Sequence, residues 1–181
     1  MEFAKTCDVE EIMTLYKRVV DAVNKTNIKL GWNTEQYPNE AFVKSSIEAH
    51  EMMILRDGEK IIAAGAVNHN MNKEYDEIDW MVKGPRDKIS TIHALATDPD
   101  YRGKKTSDQF LSEIEAYCKE NGDLAIHLDV IDTNIPAYKL YLRNEYTEAA
   151  CVEMYYEVVG TREFWMLEKV LDGNSNCVDC S

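Results

Sequence analysis

Apolar residues recur at helical spacing downstream of Asp8, with Ile12, Leu15, Tyr16, Val19, Val20 and Val23 on one face, and Asp8 with Glu11 three positions later is an N-terminal capping signal. This pattern predicts a first helix from about 9 to 24. Residues 27–38 keep no steady period and contain Gly31 and Pro38, so they read as a loop, followed by a short helix over 39–49. Two apolar runs, 51–56 and 61–67, flank Asp57-Gly58 and predict a hairpin. Residues 71–88 are polar, broken by Gly84-Pro85, and form a long excursion. A strand over 89–97 follows and stops at Asp98-Pro99-Asp100. From Ser107 a helix carries Phe110, Leu111, Ile114, Tyr117 and Cys118 on one face and ends at Asn121-Gly122. Residues 124–130 then read as a strand, 136–144 as a short helix, and 146–159 with 162–170 as a closing strand pair around Gly160. This order predicts an α/β fold with a mixed sheet between helices, one domain over 1–171 and a polar tail over 172–181.

Composition narrows the picture. The chain has 181 residues, 45% hydrophobic and 29% charged, which suits one well-covered core. Its formal charge of −13 argues against a nucleic-acid partner, since phosphate backbones are bound through Lys and Arg, and makes a cationic partner the natural one. No run of about 18 apolar residues occurs, and Met1-Glu2-Phe3-Ala4-Lys5 is not a secretory leader, so no membrane partner is expected. Five cysteines, an odd number, suit free thiols in a reducing compartment, and a cytoplasmic location follows. Cys177-Val178-Asp179-Cys180 has CxxC spacing, but no second ligand pair matches it, so no metal is expected.

The chemistry concentrates between residues 89 and 118, where strand, tight turn and helix offer free backbone N–H groups and a positive helix end to an anion. The turn is Tyr101-Arg102-Gly103-Lys104-Lys105-Thr106-Ser107, and Arg102, Lys104 and Lys105 set three cations there against the net negative charge. Such a turn would attract a pyrophosphate. A P-loop is excluded because Gly-x-x-x-x-Gly-Lys-Ser/Thr is absent.

Residues 95–104 and the turn resemble the GNAT N-acetyltransferase superfamily, whose Arg/Gln-x-x-Gly-x-Gly/Ala loop binds the pyrophosphate of CoA. Lys105 stands at that family's central glycine and Ser107 at its last small residue. A second segment, Asn134-Ile135-Pro136-Ala137-Tyr138-Lys139-Leu140-Tyr141, resembles the family's Asn-x-x-Ala-x-x-Leu-Tyr run, and Glu145 occupies a position usually held by Gly. The resemblance implies a splayed sheet with helices on both faces, acetyl-CoA as acyl donor, an amine acceptor, and dimers as a common assembly. It implies cofactor contacts from Leu95, Ala96, Thr97, Arg102, Gly103, Lys104, Lys105, Thr106, Ser107, Asn134, Ala137 and Tyr141. Backbone N–H groups around Leu95, Ala96 and Thr97 would face the oxyanion.

Tyr141 matches the family position whose hydroxyl protonates the leaving sulfur. For the base, His93 lies two residues before Leu95 on the same strand face, with an ordinary pKa near 6.5 suited to proton acceptance, while Glu77 and Asp79 lie in the excursion. Trp32, Tyr37 and Trp80 sit in loops where the acceptor would enter and can form an aromatic wall for a cation. The competing expectation, raised by Lys105, is a CoA-binding sensor or structural module without catalysis.

Overall fold

In the computed structural model, which describes residues 1–157 and 159–171, a short strand, β1 (Glu2–Phe3), precedes helices α1 (Val9–Val23) and α2 (Glu40–Glu48). Strands β2 (Met52–Asp57) and β3 (Lys60–Asn68) form the predicted hairpin, and β4 (Ile89–Thr97), α3 (Thr106–Glu120), β5 (Ala125–Ile131) and α4 (Ile135–Arg143) follow. The closing pair is β6 (Thr147–Tyr156) and β7 (Gly160–Val170). β1 is too short to carry a hydrophobic period. It forms because the backbone of Glu2 and Phe3 pairs with Ile54 and Met53.

The seven strands form one sheet in the order β1-β2-β3-β4-β5-β7-β6, with β4 and β5 parallel and every other pair antiparallel. Alternation sends Met53 and Leu55 to a cluster built on Phe110, Leu111 and Ile114 of α3, and Met52 and Ile54 to a cluster built on Ile12, Leu15 and Tyr16 of α1. Helices therefore cover both faces. A third cluster forms where the excursion over 71–88 folds back, Tyr75 and Trp80 packing on Phe164 and Met166.

That excursion is pinned by a buried carboxylate. Glu168 of β7 accepts hydrogen bonds from the backbone N–H groups of Met81 and Val82, both at 2.9 Å, and lies 2.9 Å from His127 Nε2. Trp80 stacks on the His127 ring at 3.8 Å and donates its indole N–H to the Tyr75 carbonyl at 2.8 Å. No helix among the described residues is long and apolar enough to cross a membrane. The predicted tail over 172–181, with Cys177 and Cys180, lies outside the described residues.

Candidate active site

Parallel pairing between β4 and β5 covers only Ile89–Thr91 against Ala125–His127. Beyond that point the strands part, and the halves ending in Thr97 and Ile131 open a wedge in the sheet. A bulge sits on the β4 side of it. Ala64 faces Ala96 and Ala66 faces His93, so one residue of β3, Gly65, faces two of β4, Ala94 and Leu95, and Ala94 takes a positive φ of 51°. Gly65 lies opposite, where a Cβ would stand 3.4 Å from Leu95 Cα. The buried Tyr16 of α1 donates its hydroxyl to the Ala94 carbonyl at 2.9 Å and holds the bulge from behind. The break in the ladder thus falls at Ala94 and Leu95. Of the residues whose backbone N–H groups were expected to face an oxyanion, Leu95 lies in this break, Ala96 is buried and pairs with Ala64, and Thr97 bonds the Ser107 hydroxyl at 2.9 Å.

A cavity of about 760 Å³ runs through this wedge. On the α3 side it is lined by Asn134 and by Ala137, Leu140 and Tyr141 of α4, and on the α1 side by Trp32, Tyr37, Phe42 and Tyr75. The register of β5 with β7 explains the division. Leu128 and Val130 join the cluster beneath α3, while His127, Asp129 and Ile131 alternate with them and face the excursion.

Asp129 is the cavity's most unusual group. Tyr75 donates to its Oδ2 at 2.7 Å and Tyr156 to the same oxygen at 3.0 Å. Burial pushes its carboxyl above the usual carboxylate range, and the two hydroxyls work in the opposite direction. Burial also raises the Tyr141 hydroxyl, with the Asp129 charge adding to the effect, so Tyr141 holds its proton at neutral pH. His93 lines the same cavity, and burial lowers its pKa while the Asn70 backbone and the Glu51 charge oppose that shift.

The turn before α3 has the shape the anion reading requires. Gly103 has φ 77° and open space where a Cβ would be, and Lys105 takes the left-handed conformation at φ 59° as the N-cap of α3. No side chain caps that helix start, and Arg102, Gly103, Lys104 and Lys105 are all exposed. The first-turn N–H groups and these cations therefore fit a pyrophosphate. Below them Asp98, buried, binds Arg18 at 2.6 Å and Lys60 at 2.8 Å and fixes the base of the turn. Thr106 is buried, so its hydroxyl is withdrawn from the exposed turn.

Of the residues singled out by sequence, the cavity brings together Trp32, Tyr37, His93, Leu95, Asn134, Ala137 and Tyr141. Asn134 also caps α4, accepting from the Ala137 N–H at 3.3 Å. Trp80, Glu77 and Asp79 are elsewhere, on a separate depression beside His127, with Asp79 paired to Lys83 at 2.7 Å. Trp80 is buried because its stacking on His127 excludes more apolar surface than an exposed loop position would. Sequence reasoning missed Asp129, Tyr75 and Tyr156. The readable signal was an acidic residue inside the apolar run Leu128-Asp129-Val130. Among the described residues no group of three or more His, Cys, Asp or Glu side chains could hold a metal ion.

A family model described as the acetyltransferase (GNAT) family matches residues 11–146. Among solved structures, an acetyltransferase of the GNAT family from Streptococcus agalactiae aligns with a TM-score of 0.79 at 16% identity over 93% of each chain. A structure from Salmonella typhimurium, solved with its cofactor acetyl-CoA, aligns at 0.69 and 14% identity over 99% of this chain and 97% of that one. The ribosomal-protein-S18-alanine N-acetyltransferase of Escherichia coli aligns at 0.66 and 16% identity over 98% and 96%. At these identities the structural matches carry the fold alone. No curated protein matches the chain.

Proposed function

Because this chain belongs to the acetyltransferase (GNAT) family, we propose that it moves the acetyl group of acetyl-CoA to a primary amine by direct attack in a ternary complex. The observation that carries the reading is the cavity through the wedge, which opens toward α4 on one face of the sheet and toward Trp32, Tyr37 and Tyr75 on the other. Donor and acceptor can therefore enter from opposite sides and meet at the bulge. Such convergence replaces a bimolecular encounter by a held geometry.

In this reading Arg102, Lys104, Lys105, Gly103 and the first turn of α3 hold the pyrophosphate, and Asn134, Ala137 and the edge of β4 line the arm that leads to the thioester. Acetyl-CoA supplies an activated acyl group. The backbone at Ala94 and Leu95 lies where N–H groups freed by the bulge would face the developing oxyanion. Tyr141, protonated at neutral pH, donates a proton to the departing thiolate. His93, its pKa lowered by burial, accepts the amine proton. A cytoplasmic location belongs to the same reading, since thiols stay reduced there.

The alternative of a non-catalytic CoA-binding module rested on Lys105 at a glycine position. Lys105 nonetheless adopts the left-handed backbone that glycine would supply, which supports CoA binding at this turn in either reading. Incubation with acetyl-CoA and a panel of amines, following free thiol release, tests the reading. Thiol release that depends on the amine and falls with Arg102→Ala and Lys104→Ala is expected; acetyl-CoA binding without amine-dependent release from any acceptor would favour the module.

A further inference from the structure

The charged residues that line the cavity are of one sign. Among the described residues its lining contains two carboxylates, Asp129 and Glu157, and no Lys or Arg. Asp129 has no ion-pair partner among them either. The hydroxyls it accepts, from Tyr75 and Tyr156, are neutral. Its charge also helps to keep Tyr37 and Tyr141 protonated, after the larger effect of burial on each. Tyr75 and Tyr156 touch this carboxylate, and Tyr37 and Tyr141 line the same cavity with it.

A carboxylate drawn out of water without a cation is costly to keep, and the protein supplies none. Aromatic faces beside it would add cation-π attraction for an incoming ammonium. Trp32, Phe42 and Phe164 give the cavity apolar walls, while Gln36, Asn68, Asn70 and Asn72 line it as neutral polar groups. The whole cavity measures about 760 Å³ and is shared with the donor's reactive end, which leaves space for a small molecule.

We infer that the acceptor is a small organic amine with a cationic head, an apolar body and no carboxylate, its head received by Asp129 between Tyr75 and Tyr156. This rests on the transfer reading above. A free amino acid would set its own carboxylate among Asp129 and Glu157 with no cation to answer it. A neutral isostere would leave Asp129 unpaired. Asp129 acts here as the specificity determinant, while the aromatic wall takes the body.

Three probes of one shape separate these cases: 2-phenylethylamine is a cation, 2-phenylethanol is neutral, and phenylalanine carries the extra carboxylate. Calorimetry on the whole chain should find 2-phenylethylamine bound at least about tenfold more tightly than either of the others, the size expected when a desolvated charge gains or lacks its partner. Asp129→Asn should reduce that advantage to about threefold or less while leaving acetyl-CoA affinity unchanged. Equal binding of the three probes by the unmodified protein would overturn the inference without any variant, and so would an undiminished preference in Asp129→Asn. Thiol release keeps the two readings apart. Selective, Asp129-dependent amine binding with no thiol release supports the receptor and sinks the transfer reaction, whereas release with no cation preference does the reverse.

Discussion

His93 Nε2 lies 3.0 Å from the amide oxygen of Asn68, and that contact assigns the ring's tautomer. Asn68 has no choice of orientation, because its amide nitrogen donates to Glu51 Oε2 at 2.8 Å, a group that only accepts when ionised. The oxygen facing His93 then receives a proton from Nε2. A backbone N–H, that of Asn70, donates to the same Asn68 oxygen at 2.9 Å and reinforces the arrangement. In the proposed reaction Nδ1 is the nitrogen that would accept the amine proton.

The pH dependence follows from the lowered pKa of His93. Below an unfolded value of about 6.5 the unfolded chain binds more protons than the folded one, so the contribution of this group to stability is present above that pH and is lost as pH falls toward the folded pKa. Activity should follow the folded value. We expect kcat/KM to fall on an acid limb whose midpoint lies below about 6.5, and His93→Gln to abolish the limb while lowering kcat at neutral pH. An unchanged limb in His93→Gln would assign proton acceptance to another group.

Removing the Tyr141 hydroxyl tests the proton donor. The ring packs edge-on against Tyr146 at 5.1 Å, a contact that Phe keeps. Tyr141→Phe should lower kcat by on the order of 10² to 10⁴ with little change in acetyl-CoA affinity, because thiolate protonation belongs to the transition state. Steady-state kinetics beside calorimetry separates the two. A wild-type rate across the pH range would place the proton elsewhere.

Two positions at which glycine was expected hold charged residues in left-handed backbone, Lys105 at φ 59° and Glu145 at φ 66°. A side chain at such a φ costs about 1–2 kcal/mol, part of which glycine returns through its greater freedom when unfolded. Lys105→Gly and Glu145→Gly should each raise stability by about 0.5–1 kcal/mol, whereas Lys105→Ala, which keeps the Cβ, should be neutral. Glu145→Gly also loses the partly exposed pair with Lys169 at 2.9 Å, a small effect. Urea unfolding midpoints measure the series. Equal effects of Gly and Ala at Lys105 would show that the backbone there carries no strain.

Glu168 should be the least replaceable carboxylate. It is buried and accepts from His127, Met81 and Val82 at once, so an amide in its place must turn an NH₂ toward another N–H donor. Glu168→Gln should cost about 2–3 kcal/mol and loosen the excursion that carries Tyr75, raising the acceptor KM more than it changes acetyl-CoA affinity. Chemical denaturation and hydrogen exchange at Met81 and Val82 read both effects. Full protection of those amides in the variant would contradict the pinning role.

The sequence by itself determined the element order, the turn before α3 and the span from Asn134 to Tyr141. Each of these is written in a few neighbouring residues: a 3.6 or a 2 period, a capping residue, a Gly at a stop. β4 spans the same residues as the pattern predicted, Ile89–Thr97, and α4 begins one residue earlier, at Ile135, because Asn134 caps it. Tertiary structure alone decided what meets Asp129. Tyr75 is 54 residues from it in sequence and Tyr156 is 27 away, and neither carries a local sign that its hydroxyl would turn toward β5. Their meeting depends on the β5–β7 register and on Glu168 and Trp80 holding the excursion down. The fate of Trp80 followed from the same folding back, since an aromatic in a polar stretch reads as exposed until another part of the chain stacks against it. The bulge likewise belongs to the tertiary structure, because the extra residue falls wherever pairing with β3, the small Gly65 opposite and the Tyr16 hydroxyl together allow it. Local periodicity fixes the elements over a few residues, but the site's chemistry is set by burial between segments far apart in the chain, whose free energy no short stretch contains.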